Sequence, residues 1–377
     1  MKALYWRSNY VSTPQLVAVA VLALAGLAYV ERNPTTVHDP SYELKVQAAR
    51  LAEQSFTAIG LERISRGISL NSESDPAGSG LIGPSHTPIV SNSGHLRAKQ
   101  TTANPNFAAV FVEMLQEAGV GRGDVVAVNV TGSFPASNIA MYAALETLRA
   151  EPIVVSSVAA SEYGASHPAM TWLDMERVLF ERGLSSFRSV SATMGGVLDV
   201  AQNHTDEGRT LIRAAIARSD LPLVEPLDYD DAVRRRIALF DEVRRGRPIA
   251  AYINIGGGTA SVGTRDDKHD YRPGLNTAVP RGLERRSVMR HYLEADVPVI
   301  HVSNIRAIAR RYGLPDAPVA TPAPGEGGVF AQAEVSPTRL VVLLFLLILA
   351  MLVATRFDLA SVFSKRRGEK KGPEQMA

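Results

Sequence analysis

The order of hydrophobic and polar positions divides the chain into two apolar ends and a middle in which strand and helix patterns alternate. Residues 16–30 and 340–354 are unbroken apolar runs without a charged residue. Between them, the segments 124–130 (DVVAVNV) and 152–158 (PIVVSSV) are apolar at nearly every position. Such strands are typical of parallel sheets covered by helices on both faces. The pattern predicts an α/β fold, a three-layer Rossmann-like domain with a mostly parallel sheet.

The periodicity also predicts the individual elements. Predicted helices cover residues 41–66, 107–118, 136–149, 172–182, 206–217, 230–245, 281–294 and 304–312. Predicted strands cover residues 124–130, 152–158, 187–190, 249–255 and 297–302. We therefore place the α/β domain at residues 104–313.

The flanks of this domain are less regular. The helix at 41–66 either rises from a membrane as a stalk or packs onto the domain, and it opens a segment, 31–103, that ends in a polar loop. A loop as long as residues 67–103 is usually functional or disordered. Residues 314–338 are rich in Pro, Ala and Gly and are interpreted as a linker.

The apolar ends are predicted to cross a membrane at residues 11–30 and 339–356. A bilayer core needs roughly 20 apolar residues in a helix, and both segments approach that length. For the first, a cleaved signal peptide is an alternative, because Ala23 and Ala25 have the spacing of a cleavage site. For the second, the alternative is a buried core helix.

Charge bias predicts the orientation in the membrane. Lysine and arginine are abundant in residues 357–377, and Lys2 and Arg7 precede the first apolar segment. Because such residues concentrate on the cytoplasmic side, residues 1–10 and the basic tail 357–377 are predicted to be cytoplasmic. The domain between them is then extracytoplasmic, and the tail would be attracted to anionic membrane lipid.

Composition removes several kinds of chemistry. The chain has no cysteine, which excludes disulfides, zinc–thiolate sites and cysteine nucleophiles. Histidine and aspartate residues are scattered without metal-ligand spacing, so we predict no metal and no cofactor. The net charge of +2 is small, and nothing indicates a nucleic-acid partner.

Three loops follow predicted strands, where open α/β sheets bind ligands. In the first, Gly132 permits a tight turn, and Ser133 or the start of the next helix could hold an anion. The alternative is that Ser133 merely caps the helix, with Pro135 at an early position. Ser133 is also a candidate nucleophile, although its surroundings do not match G-x-S-x-G.

The second loop is Gly256, Gly257 and Gly258, followed by Thr259 and Ser261. Glycines directly after a buried strand let the backbone approach a ligand closely. The chain has no phosphate-binding lysine motif, so we favour carboxylate or oxyanion binding over nucleotide binding. A tight structural turn is the alternative.

The third loop ends the strand at 152–158. Ser157 and Ser161 offer hydroxyls there, and Glu162 and His167 are candidates for acid–base work. A lone histidine before a proline, such as His167 before Pro168, is more often an ordinary surface loop residue.

Two further groups of polar residues have no assigned role. The first is the polar residues within 85–102: His86, Ser93, His95, Arg97, Lys99, Gln100, Thr101 and Thr102. A threonine after a glutamine raises the idea of an autoprocessing nucleophile, which nothing else supports. The second is the basic residues of 265–290, which would attract a polyanion or form a solvated face: Arg265, Lys268, Arg272, Arg281, Arg285, Arg286 and Arg290.

Three stretches of the chain resemble one known family. They are residues 124–148, residues 83–115 (GPSHTPIVSNSGHLRAKQTTANPNFAAVFVEML) and residues 253–263 (INIGGGTASVG). The family is the membrane protein described as the poly-gamma-glutamate system protein, and the resemblance extends to both apolar ends. It implies an accessory role beside the membrane proteins that synthesise and export poly-γ-glutamate at the bacterial surface. It supplies no catalytic residues.

Three functions follow as hypotheses. The first is a membrane-anchored accessory factor that binds the anionic polymer and contacts the synthase and exporter. The second is an extracytoplasmic hydrolase or transferase acting on poly-γ-glutamate, with Ser133 as nucleophile and His167 as base. The third is a nucleotide-binding membrane protein with the opposite topology.

Overall fold

The computed structural model describes residues 11, 13–263, 267–283 and 285–356. The predicted cytoplasmic ends, 1–10 and 357–377, lie outside these residues. The described chain divides into two compact units, one formed by both ends up to His38 and from Ala331, and one formed by Asp39–Phe330.

The described residues form thirteen α-helices and eleven strands. The helices are α1 (Thr13–Arg32), α2 (Tyr42–Ser65), α3 (Leu96–Thr102), α4 (Phe107–Glu117), α5 (Pro135–Leu148), α6 (Trp172–Glu181), α7 (Asp206–Arg218), α8 (Tyr229–Arg244), α9 (Thr259–Val262), α10 (Asp267–Asp270), α11 (Val288–Glu294), α12 (Ile305–Arg311) and α13 (Pro337–Arg356). The strands are β1 (Thr35–His38), β2 (Val90–Asn92), β3 (Val125–Thr131), β4 (Glu151–Ser157), β5 (Ala160–Ser161), β6 (Ser191–Thr193), β7 (Leu223–Val224), β8 (Ile249–Ile255), β9 (Gly274–Asn276), β10 (Val299–Val302) and β11 (Ala331–Glu334).

The end unit is an antiparallel helix pair closed by a short ribbon. Strands β1 and β11 pair antiparallel, and the helices α1 and α13 continue from them. A Cβ on Gly26 would overlap the side chain of Leu343, so the glycine allows the two helices to approach closely. Both helices are long and apolar enough to cross a membrane. Their apolar side chains are largely exposed, which argues against a buried core helix at residues 339–356.

The second unit is built on a mostly parallel sheet, as predicted. Its seven described strands have the order β7-β6-β4-β3-β8-β10-β9. All neighbours pair in parallel except the edge strand β9, which is antiparallel to β10. The sequence did not predict this edge strand.

Helices cover both faces of the sheet. Along β3, Val126, Val128 and Val130 join a core with α2, α4 and α5. Val125 and Ala127, which alternate with these valines along the strand, join a separate core with α8, α9 and α11. Since successive strand residues point to opposite faces, these two cores explain why β3 is apolar at almost every position.

The helix α2 packs onto the α/β domain instead of standing free as a stalk. Its residues Ala48, Ala52 and Ile59 are fully buried, and α2 contacts α4 and α5. Its buried Lys45 forms ion pairs with Asp39, at 2.9 Å, and with Glu113. The compact unit therefore begins before residue 104, the start of the predicted domain.

The polar segment 67–103 and part of the predicted linker also belong to this unit. Leu81 and Ile89 are buried, and β2 pairs with β5. At the other end, Phe330 is buried, and the Val329 carbonyl accepts a hydrogen bond from Lys45 at 3.0 Å. These contacts order residues that composition alone predicts to be loop.

Two predicted elements were misplaced. The helix predicted from Arg281 begins at Val288, because Gly282 has a φ of 81° and the Ser287 side chain caps the helix by accepting from Arg290 N–H. The strand predicted at 187–190 is instead Ser191–Thr193, next to β4.

Candidate functional site

The centre of the carboxyl edge of the sheet lies between β3 and β8. From β3 the sheet continues through β4 and β6 on one side, and from β8 through β10 on the other. Ligands of open α/β sheets bind at such a reversal, where the loops diverge. The loops after β3 and β8 touch here, because a Cβ on Gly256, whose φ is 99°, would overlap Thr131. The first and second predicted loops are therefore neighbours.

The loop after β3 is held by its backbone and by the third loop. Helix α5 begins with Pro135 at its first position, and its N-cap is Phe134. The alternative in which Ser133 caps this helix is therefore wrong. Instead, the half-buried Ser133 accepts a hydrogen bond from the Ser161 N–H at 3.1 Å. Ser133 thus connects two loops.

Glycines allow the first and third loops to pack without side chains between them. The Gly132 N–H donates to the Ser157 carbonyl at 2.9 Å, and the Gly132 carbonyl accepts from the Ala165 N–H at 2.7 Å. A Cβ on Gly164 would lie 2.5 Å from the same carbonyl oxygen. This tight backbone packing fixes the position of Ser161 relative to Ser133.

His167 does not join Ser133 in a catalytic pair. Its Nδ1 accepts a hydrogen bond from the Ala169 N–H at 3.2 Å. Partial burial, and then the charge of Arg63, lowers the pKa of His167. Among the described residues, Ser133 forms no hydrogen bond with His167. The proposed nucleophile–base assignment has no geometric support.

The glycine loop after β8 has an exposed part and a buried part. Gly257 is exposed, and Gly258 and Thr259 are half-buried. Ser261 is fully buried, with its hydroxyl 2.5 Å from the hydroxyl of Tyr252. The exposed part is available to a ligand, whereas the Ser261 hydroxyl is engaged in the core.

A row of buried polar residues lies beneath these loops. Asn129, Asn254 and His301 are adjacent in register on β3, β8 and β10. The Asn129 amide donates to the Asn254 side-chain oxygen at 3.0 Å, and the Asn254 amide lies 3.1 Å from His301 Nδ1. Burial, and then the charge of Lys268, lowers the pKa of His301 to about 3, so this imidazole is neutral near pH 7. Its Nε2 has no hydrogen-bond partner among the described residues.

A buried ion pair contacts this row at its Asn129 end. Arg236 pairs with Asp199 and donates to Asn129, and it also donates to Ser157 and Thr193 at 3.1 and 3.0 Å. Asp199 in turn accepts from Thr193 at 2.7 Å. We call these five residues the paired cluster. Ser157, a predicted ligand residue, thus lies within a saturated internal network.

Lys99 is a functional candidate that the sequence did not single out. Helix α3 places its side chain against the first and third loops, where it is 2% exposed. Its ammonium group donates to the Ser133 carbonyl and, at 2.7 Å, to Ser161 Oγ. It also lies 3.8 Å from the centre of the Phe134 ring. Burial, and then the charge of Lys268, lowers the pKa of Lys99 to about 7.

Lys268 brings a second cation to the same edge. Its Nζ lies 3.1 Å from the position that a Cβ on Gly257 would occupy. Burial lowers the pKa of Lys268. Within the described part of the chain, no carboxylate offsets the lowered pKa of Lys99 or of Lys268. We call Lys99 and Lys268 the lysine edge.

The two lysines differ in how visible they are in the sequence. Lys268 belongs to the predicted basic group, whereas Lys99 lies in a polar stretch with no local pattern that marks it. Thr101, the suggested autoprocessing residue, is buried, and its hydroxyl donates to Asp316 at 3.0 Å. The described residues contain no group of three His, Asp or Glu side chains that could hold a metal ion.

Comparison of the chain with protein-family models, curated proteins and solved structures finds no match.

Proposed function

We propose that the chain is a membrane-anchored accessory factor of poly-γ-glutamate synthesis or export, and that its α/β domain binds the anionic polymer. The observation that carries the binding proposal is the lysine edge. A cation removed from water is costly unless an anion accompanies it. Lys99 and Lys268 have no such partner among the described residues. Lys268 also lies beside the exposed Gly257. A ligand carboxylate would supply the missing charge.

Poly-γ-glutamate fits this chemistry because every residue carries one carboxylate. Charge-assisted hydrogen bonds from ammonium groups are stronger than neutral ones. The exposed Gly257 leaves room beside Lys268, so that a carboxylate could approach the backbone. The polymer itself enters the proposal through the sequence resemblance.

The apolar end helices support the membrane part of the proposal. Helices α1 and α13 expose apolar side chains, including Leu24, Phe345 and Leu352. These surfaces would contact membrane lipid and the membrane proteins of the synthase and exporter. The proposal takes its orientation from the charge bias of the sequence, with both chain ends in the cytoplasm and the α/β domain outside it. Neither a cofactor nor a nucleic acid is part of this proposal.

Polymer binding can be tested on the purified full chain in detergent. The probe is a γ-linked glutamate oligomer of defined length, and binding is measured by calorimetry. Lys268→Met removes one cation of the lysine edge, and we expect the affinity to fall about 10- to 100-fold, as for other charged hydrogen bonds. Arg213→Met is the control, because Arg213 forms an exposed ion pair with Glu225.

Three outcomes would contradict the binding proposal. The wild-type chain could fail to bind the oligomer, or Lys268→Met could bind as tightly as the wild type. Binding of ATP, without binding of the oligomer, would favour the nucleotide hypothesis instead.

The cellular role needs a separate measurement in the native host. Surface poly-γ-glutamate is compared, in amount and chain length, with and without the gene. Loss of polymer supports the accessory role. Normal amounts with longer or unattached chains support a hydrolase or transferase, and an unchanged polymer contradicts both.

A further inference from the structure

Ser161 and Lys99 are in direct contact at the carboxyl edge. Lys99 Nζ lies 2.7 Å from Ser161 Oγ. Lys99 is 2% exposed and Ser161 is 7% exposed, so the serine is the outer member of the pair. Ser161 belongs to β5, directly after β4 ends, on the edge where open α/β sheets bind ligands.

The surroundings of Lys99 favour its neutral form. Desolvation disfavours a charged amine, and a second ammonium nearby does so further. Both act here, since burial and Lys268 are the two causes of its lowered pKa. A neutral amine retains two N–H donors and gains a lone pair. One N–H can stay on the Ser133 carbonyl while the lone pair accepts the Ser161 hydroxyl proton.

Ser133 is less suited to the role of nucleophile. Lys99 contacts the carbonyl of Ser133 and not its hydroxyl. The Ser133 hydroxyl instead accepts from the Ser161 N–H, and this bond orients the backbone of Ser161. Ser133 is therefore a positioning residue.

We infer that Ser161 and Lys99 form a nucleophile–base pair, and that this edge of the sheet cleaves or transfers an acyl group of a substrate that bears a carboxylate. Serine–lysine pairs perform such reactions on unrelated folds. The assignment replaces Ser133 and His167 with two residues that are in hydrogen-bond contact.

In the proposed reaction, every transferred proton passes through Lys99 Nζ. Ser161 Oγ bonds to the carbonyl carbon of an amide, its proton passes to Lys99 Nζ, and the carbonyl π electrons move to oxygen. The tetrahedral species then expels the amine, which takes the proton from Lys99 as the C–N bond breaks. Water, or an acceptor amine, attacks the resulting ester and gives its proton to Lys99, which returns it to Ser161 Oγ. The products are a carboxylic acid, or a new amide, and the free amine.

The substrate class rests on the proposed function, because Lys268 would hold the carboxylate of the substrate. The nucleophile assignment does not depend on it. A fluorophosphonate probe carries no carboxylate, so it tests the pair alone, whereas γ-glutamate oligomers test the whole site.

The test is labelling of the purified full chain with a fluorophosphonate, followed by mass spectrometry to locate the adduct. We expect the adduct on Ser161 and no adduct in Ser161→Ala, which loses one hydroxyl and keeps the packing. Lys99→Arg keeps a cation but cannot accept the proton, and we expect the labelling rate to fall by at least about 100-fold. Ser133→Ala should still be labelled on Ser161. Ser65→Ala, at an exposed helix end, is the control and should react like the wild type.

The inference is overturned by an unlabelled wild-type chain, by an adduct on Ser133, or by wild-type labelling rates in Lys99→Arg. Labelling without turnover of γ-glutamate oligomers would keep the Ser161–Lys99 pair and reject its substrate. Loss of oligomer turnover in Lys268→Met, with the fluorophosphonate adduct still located on Ser161, would support both the pair and the proposed function.

Discussion

The paired cluster and the lysine edge border the same sheet, but only the paired cluster contains a carboxylate that neutralises its cation. In the paired cluster, Arg236 meets Asp199 and further hydrogen-bond acceptors within the chain. At the lysine edge, Lys99 and Lys268 have no carboxylate partner among the described residues. A buried charge that is paired within the chain recovers much of its desolvation cost. A charge that is not neutralised costs stability and is available for ligand binding or proton transfer.

The largest effect is expected from breaking the paired cluster. Asp199→Asn keeps the size of the side chain but leaves the buried Arg236 without its counter-charge. Removing one partner of a buried ion pair typically costs about 3–5 kcal/mol. Urea denaturation of the full chain should show this loss in the free energy of unfolding.

A double variant separates charge from packing. In Asp199→Asn combined with Arg236→Met, no uncompensated charge remains, so part of the lost stability should return. Two results would contradict this description of the paired cluster. Asp199→Asn could unfold like the wild type, or the double variant could lose as much stability as the two single variants lose together.

The lysine edge should show the opposite behaviour, as a dependence of stability on pH. The folded-state pKa of Lys99 is about 7, below the ordinary value of 10.5. Between these values the unfolded chain binds a proton that the folded chain does not, so the free energy of unfolding rises with pH. The contribution reaches about 1.4 kcal/mol per pH unit. Below pH 7, where Lys99 is charged in both states, its destabilising effect is fully present.

Comparison with Lys99→Met isolates this contribution, because all other titrating groups are shared. The wild type should gain stability relative to the variant as the pH rises from 7 to 10. Parallel pH profiles for the two proteins would mean that Lys99 is not desolvated and would weaken the contrast between the two regions.

The smallest effect is expected from an exposed ion pair. Arg213 and Glu225 are separated by 2.5 Å, but each is about half exposed. Surface pairs contribute roughly 0–1 kcal/mol, so Arg213→Met should leave urea denaturation almost unchanged. A loss as large as that of Asp199→Asn would show that burial is not what distinguishes these cations.

The elements with strong local patterns could be predicted from the sequence. Strand β8 has the predicted bounds, and β3 differs by one residue, because runs such as VVAVNV are apolar on both faces. The predicted helices at 136–149 and 172–182 also differ by one residue at most. Short edge strands such as β7 and β9 were missed, since two or three residues carry too little pattern.

The candidate site was predicted only in part. The glycine loops after β3 and β8 were recognised as loops at strand ends, and the structure places them together. The pairing of Ser133 with His167 was a guess from residue type, and the contacts do not support it. The contacts of Lys99 were not predicted, because its partners Ser133 and Ser161 lie 34 and 62 positions further along the chain.

The sequence alone was sufficient for the two apolar end helices, the alternation of helices and strands, and the polar loops at strand ends. Each of these depends on hydrophobic periodicity and turn chemistry over a few neighbouring residues. The strand order, the packing of α2, and the distinction between Arg236 and Lys99 depend on tertiary structure. Whether a buried charge meets a carboxylate depends on residues distant in sequence that only the folded sheet brings together.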